Sequence, residues 1–363
     1  MIRILHVVTH MNRGGLETMI MNYYRNIDRE KIQFHFLVHR QEKADYDDEI
    51  LAMGGKIYRI SRLNPFGRDY RNELEDFFEK HKEYPIVHVH QDCLSSIILK
   101  VAQKHNIKVR IAHSHSSSQD KDIKYPIKMI YRHFIPKYAT HLMACSKAAG
   151  EWMFRGEKFE IVNNAIDAKK YLFDKSKRKN IREKLGIQSD EFLIGHVGRF
   201  CYPKNHHFLV DIFEKVNQIV PAKLILVGEG ELRAEIEDKV KKLGLTEQVV
   251  FTGLRSDVSD LMQAMDVFVF PSHYEGLPVT LIEAQAAGLP CLISDRVPIE
   301  CKKTDLVRQE ALSKSAEEWA EVILKLKGIQ HRKTYQEIVA ADYDIKENAK
   351  KLSKIYEEMN RWI

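Results

Sequence analysis

No apolar run in this 363-residue chain is long enough to cross a bilayer, so a spanning helix is not expected. The five cysteines, Cys93, Cys145, Cys201, Cys291 and Cys301, are scattered without a CxxC pair, which argues against a structural zinc site and a disulfide framework. A strong charge bias is also missing. With 57 basic and 51 acidic residues the net charge is +6, compatible with an anionic ligand or membrane surface and too small to indicate nucleic acid. The chain lacks GxGxxG after its first strand pattern, which weakens a nicotinamide reading. The opening MIRILHVVTHMNRGG has no secretory cleavage pattern and predicts a buried first strand in a cytoplasmic protein.

The chain is too long for a single growing core, and two domains are expected. Short β-branched runs recur between helical patterns: ILHVV, FHFLV, KIYRI, IVHVH, VRIAH and HLMAC, then FLIGHVG, KLILVG, VVFTG, DVFVFP and LPCLIS. Their nearly continuous hydrophobicity suits parallel strands covered on both faces. The predicted fold class is α/β, with two doubly wound domains facing across a cleft, residues 1–170 and 171–341. Residues 342–363 form a terminal helix whose stripe of Ala349, Leu352, Ile355, Tyr356 and Met359 closes its own domain or returns to brace the first. The charged stretch DKSKRKNIREKLGIQS reads as a surface linker running into a short helix, which places the seam between NNAID and DEFLIG.

Ligands of open α/β domains bind beyond the carboxyl ends of the strands, and the candidate motifs fall at such ends. Gly14 and Gly15 precede the first helix, where bare amides can approach a phosphate or sugar, or simply turn the chain. His113 and His115, in HSHSSSQ, suit hydrogen bonding to a substrate or a structural role better than metal ligation, because no Asp or Cys completes a set. Arg199 and Lys204 bracket a strand-to-helix loop, one as a fork and one as a point charge, as a diphosphate clamp would require. Gly228 and Gly230, then Gly253, Leu254 and Arg255, sit at the next two strand ends, the glycines allowing a ligand close.

In PSHYEGLPVTLIEAQAAGLP, Pro271 ends a strand and a helix begins near Pro278. Glu275 then lies before the helix and Glu283 inside it. Gly276, Leu277, Pro278, Val279 and Thr280 offer a phosphate the helix start, although helix-end charge preference alone also favours a glutamate here. In KDIKYPIKMIYRHFIPKY, Ile123, Ile127, Ile130 and Phe134 share a face ringed by Lys121, Lys124, Lys128 and Arg132. That pattern fits a basic interfacial helix on an anionic membrane or an ordinary docked helix.

GGLE, HSH, NNAID, GRFCYPKNH, LVGEGEL and EGLPVTLIEA, in this order across nearly the whole chain, resemble the retaining nucleotide-sugar glycosyltransferase family with two Rossmann-like domains (GT-B fold, family 4). That family includes bacterial exopolysaccharide, capsule and lipid-linked mannose transferases. The resemblance implies an acceptor-side first domain and a donor-binding second domain. Arg199 and Lys204 look like the pair that neutralises the donor diphosphate, Glu275 like the glutamate that positions the sugar, and Glu283 like the one that binds the ribose. Gly15 resembles the glycine whose amide meets the phosphates, and His113 or His115 the histidine at the donor sugar, with His113 favoured because it ends the strand. Ala165 stands in NNAID where glycine is more usual.

The resemblance further implies hexosyl transfer from a UDP-sugar, or secondly a GDP-sugar, to a saccharide or polyprenyl-linked glycan acceptor, with configuration retained and without a metal. It implies no cofactor beyond the donor substrate; the mild net charge gives no nucleic-acid partner, and the expected place is the cytoplasm, at the inner face of the cell membrane if the basic helix pattern is interfacial rather than an ordinary docked helix. A nucleotide-sugar epimerase needs acid/base groups on both faces of one carbon, and the sequence places none convincingly. A catalytically silent sugar-nucleotide binder is disfavoured by the intact Arg199, Lys204, Glu275 and Glu283 set.

Overall fold

The computed structural model describes residues 1–116 and 123–361. Two compact units emerge, Met1–Ala165 together with the chain from Ile345 onward, and Ile166–Asp344. Each is a parallel sheet flanked by helices.

The first unit runs β1 (Ile2–Val8), α1 (Gly15–Asn26), β2 (Ile32–Val38), α2 (Asp47–Ala52), β3 (Ile57–Arg59), α3 (Arg68–Lys80), β4 (Ile86–Val89), α4 (Ser95–Lys104), β5 (Val109–Ser114), α5 (Tyr125–His133), α6 (Ile135–Tyr138), β6 (His141–Ala144), α7 (Lys147–Phe154) and β7 (Glu160–Ile161). The second contains α8 (Lys175–Lys184), β8 (Phe192–Val197), α9 (His206–Asn217), β9 (Ala222–Val227), α10 (Arg233–Lys242), β10 (Val249–Phe251), α11 (Val258–Ala264), β11 (Val267–Phe270), α12 (Val279–Ala286), β12 (Cys291–Ser294), β13 (Val307–Glu310), α13 (Ala316–Leu326) and α14 (Tyr335–Ala340). The last helix, α15 (Ile345–Asn360), belongs to the first unit, where Ala349, Leu352, Tyr356 and Met359 are buried with α1 against the β1–β2 region.

The sheet orders are β3-β2-β1-β4-β5-β6-β7 and β10-β9-β8-β11-β12-β13. Both reverse direction beside their first strand, between β1 and β4 and between β8 and β11. At such a reversal the flanking loops diverge to opposite faces and leave a crevice at the carboxyl ends of the strands.

The charged stretch after Asp174 folds as α8 and docks on its unit. The Arg182 side chain, 7% exposed as a residue, donates to the carbonyls of Ala264, Gln188 and Glu191 and to Asp266, while Arg178 reaches the carbonyls of Gln263, Ala264 and Met265. Its charge satisfies carbonyls that water would otherwise have to reach, and the division between units falls upstream, inside NNAID. Ala165 has no positive φ, so nothing there requires glycine. All five cysteines are free, and no helix among the described residues is long and apolar enough to cross a membrane.

Candidate active site

In the second unit the candidate residues gather at the carboxyl edge of the sheet, around the β8–β11 reversal. β8 delivers Gly198 and Arg199; a short 3₁₀ turn, Tyr202–Lys204, follows, and left-handed Asn205 opens α9. β11 delivers Pro271 to Glu275, and α12 starts one residue after Pro278, which caps the helix rather than occupying its first turn. The two loops are tied together: His273 N donates to the Pro203 carbonyl at 2.8 Å, Asn205 Nδ2 donates to the Pro271 carbonyl at 3.0 Å, and Tyr202 stacks on His273. Backbone and side-chain bonds therefore fix Lys204 relative to Glu275.

Lys204 Nζ donates to Glu275 Oε1 at 2.6 Å and lies 4.7 Å from the centre of the Phe270 ring. Arg199 is exposed and paired with Glu231 at 3.0 Å; Arg255 is paired with Asp257 at 2.6 Å. Leu254 is solvent-exposed beside it. Every candidate cation thus has a carboxylate partner that an arriving anion must share or displace. The start of α12, from Gly276 through Leu277, Pro278, Val279 and Thr280, carries no side-chain cap.

Glycines Gly228 and Gly230 serve their own chain. A Cβ at Gly228, whose φ is +142°, would collide with the Gly198 carbonyl oxygen, and one at Gly230 with the Phe200 backbone. Phe200 N donates to the Glu229 carbonyl and Leu232 N to the Phe200 carbonyl, both at 3.0 Å, so the β9 loop cradles the loop that carries Arg199. Gly253 likewise has φ +68° with Glu229 beside its Cα. The space in which a Cβ would sit is filled by backbone at Gly228 and Gly230 and by the Glu229 and Arg233 side chains at Gly253.

Glu283, on α12, hydrogen-bonds Tyr171, and burial holds its carboxyl above the usual range while that bond partly offsets the effect. Tyr171 was not foreseen. It sits in a 3₁₀ turn, Ala168–Tyr171, packed against α12, and the sequence hint is the pair of aromatics Tyr171 and Phe173 in a lysine-rich stretch.

In the first unit, Gly14 caps α1 with an ordinary extended φ of −127° and Gly15 has open space where a side chain would project. The Glu17 carboxylate folds back toward Gly14, with its pKa raised by burial. An anion arriving at this helix start would meet that carboxylate.

His113 and His115 are not alone. They share one face of the sheet with His6, His88 and His90, clustered at the β1–β4 reversal. His6 is the register partner of His88, and the two-residue alternation of a strand puts His90 above His88 and His115 above His113. Ring centroids lie 5.1 Å apart for His6–His88, 4.3 Å for His88–His90, 5.1 Å for His88–His113 and 4.1 Å for His113–His115. His6, His88, His90 and His113 are buried, His115 partly so. Two chains of nitrogens link them: His6 Nδ1 to His90 Nε2 at 3.0 Å and His90 Nδ1 to His115 Nε2 at 2.8 Å; Tyr356 Oη to His88 Nδ1 at 2.7 Å and His88 Nε2 to His113 Nδ1 at 3.0 Å. Burial, reinforced at His88, His90 and His113 by the neighbouring rings, pushes all five below the usual histidine range, His6 and His115 to about 3. They are neutral at pH 7. The alternation in IVHVH and ILHVV was the overlooked signal, since a strand puts every second residue on one face.

The basic helix pattern is partly redistributed. Lys121 lies outside the described residues. Arg132 donates to the Trp152 carbonyl at 3.0 Å with its guanidinium 5.0 Å from the Trp152 ring centre, so it braces α7 and is not on the outer face. No residue of α5 is fully buried, and Ile123, Ile130 and Phe134 remain exposed.

Residues 13–170 match the model for Glycosyltransferase Family 4 and residues 177–340 that for Glycosyl transferases group 1. The Bacillus subtilis (strain 168) protein named "Putative glycosyltransferase EpsF" is 36% identical over 375 residues, covering 98% of this chain and 96% of the relative. An Escherichia coli UDP-Gal:alpha-D-GlcNAc-diphosphoundecaprenol alpha-1,3-galactosyltransferase is 26% identical, covering 81% of this chain and 79% of the relative. Among solved structures, Anabaena HepE in complex with UDP-glucose superposes with a TM-score of 0.80 at 17% identity, covering 99% of this chain and 100% of that one, a likeness of fold. With two Rossmann-like units matched in turn by both halves of the family and a full-length relative above one-third identity, the chain belongs to the GT-B glycosyltransferases of family 4 and group 1, enzymes that move a sugar from a nucleotide-sugar donor to an acceptor.

Proposed function

We propose that this enzyme transfers a hexosyl unit from a UDP-sugar, with a GDP-sugar as second choice, to a hydroxyl of a saccharide or polyprenyl-linked acceptor in exopolysaccharide, capsule or lipid-linked glycan synthesis, with retention of configuration. The observation that carries the reading is the Lys204–Glu275 pair at the β8–β11 reversal, beside Arg199 and the uncapped start of α12. UDP is favoured by the UDP-glucose bound to HepE and by the UDP-Gal in the name of the E. coli relative, whose acceptor is also polyprenyl-linked.

In this reading Arg199 and Lys204 meet the diphosphate, with Arg255 and Leu254 at its margin. Glu275 orients the sugar, Glu283 with Tyr171 receives the ribose hydroxyls, and His113 or His115 serves the donor sugar. As the bond from the anomeric carbon to the phosphate oxygen lengthens, negative charge grows on the diphosphate. Lys204, held by Glu275, shares its charge with the diphosphate as that charge appears. No carboxylate is placed as an evident nucleophile. The leaving phosphate oxygen takes the acceptor hydroxyl proton on the face it departs from, while the acceptor oxygen forms the new glycosidic bond on that same face.

A second part of the reading concerns place: α5 with the residues flanking it, exposed Ile130 on the helix, Ile123 before it and Phe134 at its C-cap, meets the surface of an anionic membrane on the cytoplasmic side. The test of the whole is a donor screen read by nucleotide release that depends on acceptor, with Lys204→Ala and Glu275→Ala as controls and the product configuration read by NMR. Full activity in either control refutes the site. Inversion refutes the same-face step.

A further inference from the structure

Five histidines on three neighbouring strands exceed what hydrogen bonding to one donor sugar needs. We infer that His90, His113 and His115 form a binding site for a nitrogen-preferring divalent transition ion, with zinc as the reference case, and that His6 and His88 hold two of these ligands in place.

Two observations support the assignment, and a third bounds the space beside it. One nitrogen from each of His90, His113 and His115 can be chosen so that all three lie within 4.8 Å of one another. A small cavity of about 10 Å³, lined by His6, His88, His90 and His113 together with apolar side chains that include Met19 and Phe34, adjoins the inner side of the cluster; His115 lies outside it, so the ion would sit at the other, outer side. His113 Nε2 and His115 Nδ1 are buried without a hydrogen-bond partner among the described residues, and so is His6 Nε2. Buried polar atoms left in this way are uncommon, and of the three His113 Nε2 is a ligand atom of the proposed set, a lone pair open to a cation; His115 binds through its Nε2, and His6 is not a ligand.

The hydrogen-bond directions are mutually consistent with metal binding. An ion on His113 Nε2 leaves the proton on Nδ1, which donates to His88 Nε2, 3.0 Å away; His88 Nδ1 then donates to Tyr356 Oη at 2.7 Å. An ion on His90 Nδ1 leaves the proton on Nε2, which donates to His6 Nδ1 at 3.0 Å. Such outward bonds fix the tautomer and ring angle of a metal-binding histidine. His90 Nδ1 and His115 Nε2 are 2.8 Å apart; two nitrogens on a tetrahedral zinc ion are roughly 3.3 Å apart, so the pair need part by only about 0.5 Å. An all-imidazole set suits zinc, copper, nickel or cobalt and not magnesium or calcium. Entry is from the His115 side, the partly exposed end.

Because such an ion would occupy His113 and His115, it is not a cofactor of transfer but an inhibitor of it; this consequence rests on the role proposed for those histidines at the donor sugar. Atoms balance without redox change, since three neutral imidazoles donate lone pairs and no bond is broken.

The experiment is calorimetry of the metal-stripped full-length protein with Zn²⁺, together with the visible absorption of its Co²⁺ form. Expected are one ion per chain, a tetrahedral cobalt spectrum, and at least a tenfold weaker affinity in His115→Ala and in His113→Asn, with no change in His133→Ala, which lies on α5 away from the cluster. His115→Ala is the variant least able to disturb folding, and circular dichroism checks it. Absence of stoichiometric binding, an octahedral cobalt spectrum, or equal affinity in wild type and both cluster variants overturns the site. Transfer activity is measured in the same samples: stoichiometric binding without chelator-reversible inhibition leaves the metal site standing and removes the donor-sugar role of the histidines.

Discussion

Lys204 Nζ lies 2.6 Å from Glu275 Oε1, and both side chains are largely withdrawn from solvent, 19% and 10% exposed. Partly withdrawn charges interact more strongly than surface ions, and removing one strands the other. Lys204→Ala should lower turnover by about 10²- to 10³-fold, the usual cost of deleting one group that stabilises developing charge. Glu275→Gln frees Lys204 for the diphosphate, so donor KM should fall while kcat also falls because the sugar is no longer held. Steady-state kinetics on both variants check this. A rise in KM for Glu275→Gln would place the carboxylate elsewhere.

Tyr171 donates to a carboxylate whose pKa burial has raised, and that bond lowers it again. Removing the hydroxyl in Tyr171→Phe favours the protonated acid, which is a poorer acceptor for ribose hydroxyls. Donor KM should rise about tenfold with kcat nearly unchanged, the pattern of lost uniform binding. Equal losses in kcat and kcat/KM would instead assign Glu283 to the reacting end.

The strands that were easiest to read are those buried on both faces. FLIGHV and AKLILV have no competing period, whereas β13 (VRQE, with Arg308 and Gln309 exposed) and β7, whose two residues are both exposed, are edges whose sequence carries no hydrophobic signature. α8 was hard for a related reason. Its charges are spent on carbonyls of its own unit, a long-range use that a charge pattern cannot reveal. At the candidate site, residue types at strand ends were legible because topology places them there. The pairing of Lys204 with Glu275, and of Tyr171 with Glu283, depends on sequence separations of 71 and 112 residues that no local spacing encodes.

Gly228 tests the claim that the β9 loop shapes the Arg199 loop. Gly228→Ala must relieve both a φ of +142° and a collision with the Gly198 carbonyl. Stability should fall by roughly 2 kcal/mol or more, and donor affinity with it. Chemical denaturation measures the first and titration with UDP the second. Loss of UDP affinity at unchanged stability would restore a direct ligand contact for the glycine.

His196 and His206 make the second unit acid-sensitive. Both are buried and 4.7 Å apart; burial holds His196 at about 4 and His206 at about 2, with His196 and Lys204 adding repulsion at His206. The unfolded chain binds these protons near pH 6.5 and the folded one does not, so stability is complete above that pH and is lost as pH falls toward 4 and below. Each histidine contributes up to roughly 1.4 kcal/mol per pH unit in that window. His206→Phe, which keeps the stacking on Phe200, should flatten the dependence between pH 6 and 4. An unchanged slope in urea midpoints would mean that other groups carry it.

At α5, Ile123 is 93% exposed, Ile130 59% and Phe134 37%, while Met129 and Tyr131 pack against the core. The helix thus has an anchored side and an exposed apolar Ile130, with Ile123 in the turn before it and Phe134 at its C-cap. Burying each outer side chain in an interface is worth about 1.5–3 kcal/mol at most, and less for partial immersion. A triple variant, Ile123→Ser with Ile130→Ser and Phe134→Ser, should reduce co-sedimentation with anionic vesicles at least tenfold. Lys124→Gln with Lys128→Gln should weaken it less and remove its salt dependence, because screened charge attracts the helix and apolar contact retains it. Arg132, held by Trp152, should contribute nothing. Equal sedimentation of wild type and the triple variant would show that α5 does not meet the lipid, and the acceptor would then have to reach the enzyme as a soluble glycan.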